Sequence, residues 1–475
     1  MTSFKKRSLL YTFQRSSIAV FSIILGILIT RILGPEEYGR YVYFLSFVTL
    51  MVNFVNLGSY EGLSRFIPEY VDHKSKIALL IFTTKWSLFA WMGLVTILAV
   101  TKIFDFDIFP KVVQNAPLLF ITLILITSIN LLTEGFIRGV GNFNHIPIID
   151  AIGRHFFKII ALGLSFFIVI DYKIIALTNI GTLCASLLIF ILLIFRYSGN
   201  QLTYSRLSNE AKSDYSKVVL FIALGSIFGP LFPFINNTFI NSFLTTEDIG
   251  IFNVGIRIPT MVNTLLFVPF QVPFMYKLAR EKSIEKKKQI FIDSTIIVVF
   301  ITGVVALITM AFSKEIISIL YGNDFNKSAS VLTLFSINIF LSGFFFLTAT
   351  IFIIFNEPYW SIISNIISST LLIVLNFFLV QPYGILGVTL SYLIINILKV
   401  LFSLLVQKYR LKIKYIFKMK EIMAVFVIAI IFILSFNFNI YTKVIIIVIY
   451  SLIGYHINKK RMYKYLVINK LKKEK

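Results

Sequence analysis

The sequence predicts an all-α polytopic membrane protein of about fourteen transmembrane helices, arranged as two six-helix lobes followed by two further helices. Three observations carry that expectation. The chain is too apolar for a soluble protein, its cations are confined to alternate loops, and a weak repeat divides it in two.

Of the 475 residues, 57% are apolar and 14% charged, with a mean hydropathy of +0.87. A soluble chain is roughly 45–50% apolar and about 25% charged. At about 20 apolar residues per membrane helix, this composition fills a dozen or more spans. A soluble two-domain enzyme is excluded. The apolar runs fall near 12–33, 41–66, 77–101, 117–138, 146–170, 174–196, 217–243, 249–277, 290–312, 328–355, 359–380, 384–407, 421–437 and 441–458. Lys5-Lys6-Arg7 precede the first run, which contains Arg15 and reaches Arg31 without a small-residue cleavage site. It reads as an uncleaved first span and not as a signal peptide.

The net charge of +23 does not indicate nucleic acid, because its distribution is that of membrane topology. One set of loops holds Lys5, Lys6 and Arg7, then Lys74 and Lys76, then Arg196, Arg206 and Lys212, then the cluster from Lys277 to Lys288. It continues with Lys408 to Lys420 and the tail from Lys459 to Lys475. The opposite set holds little beyond Arg40, Lys102, Lys111, Lys173, Lys314 and Lys327. The positive-inside rule then places both termini in the cytoplasm. No outer loop is long enough for a catalytic domain, so the chain reads as a non-enzyme whose work is done among its helices. Cys184 is the single cysteine, and His73, His145, His155 and His456 lack metal-ligand spacing, so neither metal nor cofactor is expected.

The repeat rests on two matches at one offset. Leu33-Gly-Pro-Glu36-Glu37-Tyr-Gly39-Arg-Tyr41 aligns with Leu244-Thr-Thr-Glu247-Asp248-Ile-Gly250-Ile-Phe252, an offset of 211 residues. The same offset sets Tyr172, Ile174, Ala176 and Thr178 against Tyr383, Ile385, Gly387 and Thr389. Six spans per copy is an even number, so both copies enter the membrane from the same side, the parallel-repeat plan of transporters. The lobes expected are 1–205 and 212–415, with 416–475 as two extra helices and a basic cytoplasmic tail.

The stretch Arg31-Ile-Leu-Gly-Pro-Glu-Glu-Tyr-Gly39 after an N-terminal span resembles the signature of Wzx-type polysaccharide-biosynthesis flippases, of the multidrug/oligosaccharidyl-lipid/polysaccharide exporter superfamily. Ile319-Leu-Tyr-Gly322-Asn-Asp-Phe325, followed by Ser328-Ala-Ser-Val-Leu332, is similar to a second motif of that family. The resemblance implies two lobes around a central cavity, alternating access, and transport of a polyprenyl-pyrophosphate-linked oligosaccharide across the cell membrane. It also implies membrane lipids as partners and contact with the glycan polymerase machinery. A multidrug antiporter on the same fold and a flippase of the peptidoglycan precursor are the alternatives.

An ionisable residue in a span costs about 2.5–3.5 kcal/mol at the bilayer centre, so each one needs a reason. Glu61 with Arg65, and Glu134 with Arg138, stand four residues apart, the spacing of helix-surface ion pairs, and are also the acids available to proton or sodium coupling. Lys399 reads as a lone snorkelling or lobe-packing residue. Arg154 and Lys158 lie one turn apart, a spacing at which like charges repel, so they are expected to face water or an anion. With Arg15, Lys85 and Arg257, the last just before Pro259, they form the expected substrate-binding set. Arginine offers a planar fork and lysine a point charge to pyrophosphate oxygens.

Overall fold

A computed structural model of the chain describes residues 2–104, 109–141, 159–160, 163, 170–198, 206–345, 348–413, 427 and 440–462. Among them the regular structure is helical, with no strand. The protein is an all-α polytopic membrane protein. Eight of the described helices are long and apolar enough to cross a bilayer, or nine when one bent pair is counted as a single span. Most of the fifth and thirteenth expected spans, 146–170 and 421–437, lies outside the described residues.

The chain forms two units, Met1–Gly250 and Ile251–Lys475. The first contains α1 (Thr2–Asn56), α2 (Ser59–Phe66), α3 (His73–Ile103), α4 (Lys111–Gln114), α5 (Pro117–Gly139), α6 (Tyr172–Tyr197), α7 (Asn209–Ser226) and α8 (Phe228–Phe243). Helix α9 (Thr246–Arg280) begins in the first unit and continues into the second. The second holds α10 (Ile284–Ala311), α11 (Ser313–Tyr321), α12 (Ser328–Phe345), α13 (Thr348–Ile354), α14 (Tyr359–Tyr383), α15 (Ile385–Tyr409) and α16 (Ile440–Met462).

Several boundaries differ from the sequence expectation for local reasons. The loop expected over 34–40 is helical from Pro35 onward, so α1 carries the first span and most of the second. Gly34 alone makes the break, with φ +69, a conformation that glycine tolerates, and Pro35 then restarts the helix with its fixed φ. The second expected span is interrupted at Leu57 and Gly58, both at positive φ, and bends by 45° there. Helices α12 and α13 both lie in the tenth, on either side of residues 346–347, which are outside the described ones. Helix starts follow their caps. Asp72 caps α3, accepting the Ser75 backbone N–H at 2.7 Å, which holds its carboxyl below the usual carboxylate range. Thr245 and Asp248 satisfy each other's backbone N–H at the start of α9, at 3.0 and 3.2 Å, a capping box with aspartate as the third residue.

The core of the first unit gathers Leu63 and Ile67 with Leu132 and Phe136 of α5, Phe190 of α6, and Tyr215 and Val219 of α7. In the second unit α10 is buried along most of its length against α12 and α16, and α14 packs along α15.

The two stretches related by the 211-residue offset touch each other inside the first unit. A Cβ built on Gly39 would fall onto the carbonyl oxygen of Thr246, and one built on Gly250 onto the carbonyl oxygen of Pro35. Pro35 and Gly39 stand at the offset from Thr246 and Gly250, so the contact is reciprocal. Only glycine at both positions lets the two helix N-termini approach so closely, the device by which small residues join helices in membranes.

Candidate functional site

The sequence-predicted site residues that the structure brings together lie where α2 meets α5. Glu134 is only 4% exposed, and Arg138 one turn on places Nη2 2.8 Å from its Oε1. The Tyr60 hydroxyl donates to the same carboxylate at 3.2 Å, and the Arg138 guanidinium stands 5.0 Å from the Tyr60 ring. Ser64 Oγ donates to the Gly135 carbonyl at 3.3 Å, across a helix contact too close for a side chain at Gly135. The buried acid is thereby neutralised and hydrogen-bonded, which is what a low-dielectric interior requires of it.

Glu61 and Arg65 correct the sequence reading. Both are exposed and form no ion pair with each other. Helix α2 is only eight residues long, with Glu61 in its first turn and Arg65 in its last. Arg65 lies 5.6 Å from the Phe66 ring, while Arg138 acts electrostatically on Glu61 from the facing helix. Arg138→Ala is expected to destabilise the protein by about 3 kcal/mol, the low end for breaking a buried pair because a quarter of Arg138 is exposed. Glu134→Gln, which keeps an acceptor for Tyr60, should cost less. Thermal melts of the purified variants check the order.

The expected substrate-binding set is distributed differently. Lys85 is exposed on α3 and makes no hydrogen bond or ion pair among the described residues. Arg257 is half-buried on α9, in the second unit. Arg15 lies on α1, with its side chain outside the described part, and Arg154 and Lys158 lie outside the described residues. Lys399 is not alone: its ammonium donates to Asn365 Oδ1 at 3.0 Å and stands 5.8 Å from the Phe345 ring.

Sequence reasoning missed Asp293. It is 3% exposed near the start of α10 and accepts from Gln289 Nε2 at 2.9 Å. The signal was present, an acid inside the apolar run 290–312 with an amide four residues earlier. Also missed were Thr49, Asn53, Thr127, Asn179 and Thr182, which line a 240 Å³ cavity between α1, α5 and α6. Among the described residues no group of three histidine, cysteine, aspartate or glutamate side chains could hold a metal ion.

Residues 5–279 match a family model described as polysaccharide biosynthesis protein. The fold is similar to the lipid II flippase MurJ in an inward closed conformation, with a TM-score of 0.74 at 16% identity over 97% of this chain and 100% of that one. It is similar to an inward-facing multidrug resistance MATE family transporter of the MOP superfamily, with a TM-score of 0.71 at 17% identity over 84% and 98%. A MOP superfamily transporter from Pyrococcus furiosus gives 0.60 at 16% identity over 85% and 94%. No curated protein sequence matches the chain.

Proposed function

The chain belongs to the polysaccharide biosynthesis protein family, and on that premise we propose that it is a flippase carrying a polyprenyl-pyrophosphate-linked oligosaccharide across the cell membrane. The headgroup enters from the cytoplasmic leaflet while the polyprenyl tail stays in lipid. Alternating access then exposes it on the outer side, for assembly into a surface polysaccharide by the polymerase machinery.

The observation that carries this reading is the charge balance within the membrane. The buried acids among the described residues are engaged, Glu134 by Arg138 and Tyr60, and Asp293 by Gln289. Lys85 has no acid beside it among the described residues. Arg15, Arg154, Lys158 and Arg257 add cations in other spans. An excess of cations over acids in the spans suits an anionic cargo and opposes the cationic drugs of a multidrug antiporter. A pyrophosphate supplies that charge. With the cell interior negative, its outward movement is downhill by about 2.3 kcal/mol per charge per 100 mV. Glu61, exposed on α2, and Glu134 are the acids through which a proton or sodium ion would couple to the cycle.

The test is reconstitution in liposomes carrying a fluorescent undecaprenyl-pyrophosphate oligosaccharide on both leaflets. The protein should bring the inner-leaflet glycan within reach of an external glycosidase, which empty liposomes leave untouched. Uptake of cationic dyes with no movement of the lipid would overturn the reading. In intact cells, a cysteine at Asn439 should label from outside and one at Ser3 should not, as cytoplasmic termini require.

A further inference from the structure

The cavity between α1, α5 and α6 lies within the first unit, and none of the described charged side chains discussed above lines it. Its 240 Å³ equals the share of about eight waters in the liquid at 30 Å³ each. That is below the roughly 300–1,000 Å³ of a pocket for a drug-sized molecule. Among the described residues the wall is leucine and valine, interrupted by Thr49 and Asn53 on α1, Thr127 on α5, and Asn179 and Thr182 on α6. No charged side chain is among the described residues that line it.

The hydrogen bonds of these five residues define what the cavity wants. Thr49 Oγ1 donates to the Leu45 carbonyl at 2.7 Å and Thr182 Oγ1 to the Asn179 carbonyl at 2.8 Å. Asn53 Nδ2 donates to the Thr49 carbonyl at 2.9 Å, and Asn179 Nδ2 to the Tyr41 hydroxyl at 2.8 Å. Their donors are turned to the protein, while Asn53 Oδ1 and Asn179 Oδ1 accept nothing among the described residues. Thr127 is the exception. Its neighbour Thr133 bonds back to the Ile129 carbonyl at 3.1 Å, as helical threonines do, whereas the Thr127 hydroxyl has no hydrogen bond among the described residues.

A lining of neutral acceptors, one uncommitted hydroxyl and aliphatic walls selects among ligands. An alkyl tail would leave the polar groups without partners, at a cost for each. A divalent cation calls for carboxylates, which the described lining lacks. A neutral sugar ring meets every requirement: its hydroxyls donate around the rim, and its C–H faces lie against leucine and valine. We propose that this cavity is a glycan subsite, which takes one neutral sugar of the lipid-linked oligosaccharide and so helps set which glycan is carried. The proposal rests on the flippase reading and assigns the sugar to a place that no described charged side chain lines.

The experiment compares binding of two probes to the full-length protein in nanodiscs: undecaprenyl pyrophosphate bearing one neutral hexose, and undecaprenyl pyrophosphate alone. The native protein should prefer the sugar-bearing lipid. Thr127→Val and Asn53→Leu should each cut that preference by about fivefold, the value of one hydrogen bond. Neither should change the affinity for the sugarless lipid. Thr127→Val deletes a hydroxyl that bonds nothing among the described residues, so its melting temperature should hold, which separates binding from a structural role. An unchanged preference in both variants overturns the subsite, as does equal weakening of both lipids. So does saturable binding of sodium ions that Asn53→Leu abolishes, because the cavity is then a cation site. Native protein that binds both lipids equally refutes the subsite alone. Native protein that binds neither refutes the flippase reading and the subsite with it.

Discussion

Alanine at Gly39 or Gly250 is expected to lower the melting temperature of the purified protein by several degrees and to stop transport in the liposome assay. The new methyl at Gly39 meets the backbone oxygen of Thr246 inside 3.0 Å, closer than real Cβ atoms come, and the one at Gly250 does the same to Pro35. A flexible side chain could turn aside, but a carbonyl in a helix can yield only if the helix moves. Overpacking typically costs about 1–3 kcal/mol, and an obstacle made of backbone puts these two changes toward the upper end. The effects should fall short of additive in the double variant, since both methyls strike one joint and the first displacement makes room for the second. Gly93→Ala is the control: a Cβ there meets nothing within 4 Å, and alanine is the better helix former. In the proposed orientation the joint lies at the outer ends of its helices, within the first unit. A close-packed backbone contact of this kind tolerates little deformation. If Gly39→Ala melts and transports like Gly93→Ala, the close approach of α1 and α9 is wrong.

The sequence was legible where apolar length decides and opaque where one residue redirects a helix. Long apolar runs such as 77–101 and 359–380 correspond to α3 and α14 because hydropathy over about 20 residues is a bulk property. That same averaging hides breaks. Gly34, Leu57 and Gly58 divide the first two spans through single backbone conformations that leave hydropathy almost unchanged. The turn at Asn356-Glu357-Pro358 could be read as a tight join, but not its bonds, in which the Glu357 carboxylate accepts from Trp360 Nε1 at 2.6 Å. Charge spacing was an incomplete guide for a similar reason. The i,i+4 rule states which residues share a helix face, not which partner a side chain takes, so Glu134 with Arg138 and Glu61 with Arg65 have one spacing and two outcomes. Asp293 escaped notice beside the many lysines at 282–288, although it lies within the apolar run. The five polar residues of the cavity carry no motif. They come together only because α1, α5 and α6 converge, which no local pattern encodes.

Alanine at both Arg154 and Lys158 is expected to abolish export of the glycan while the protein still inserts in the membrane. These two cations stand four residues apart in an apolar run, with Asp150 four residues before Arg154 and no acid at that spacing from Lys158. Each costs about 2.5–3.5 kcal/mol near the centre of a bilayer, and their mutual repulsion adds to that. Removing them should therefore ease insertion, so a loss of export cannot be put down to misfolding. A hydrogen bond to a charged group is worth about 1.5–3 kcal/mol, so losing two should weaken binding of undecaprenyl pyrophosphate by roughly two orders of magnitude or more. The defect should appear with the sugarless lipid as strongly as with the sugar-bearing one, the opposite of the pattern expected for Thr127→Val. Exchanging Arg154 for lysine, or Lys158 for arginine, should restore part of the affinity, because charge matters more than the guanidinium fork at a site that must also release its cargo. Binding driven by differential affinity for one conformation would then slow the conformational change in the double variant even at saturating lipid. Native rates of export from the double alanine variant would remove the pyrophosphate from this pair of residues.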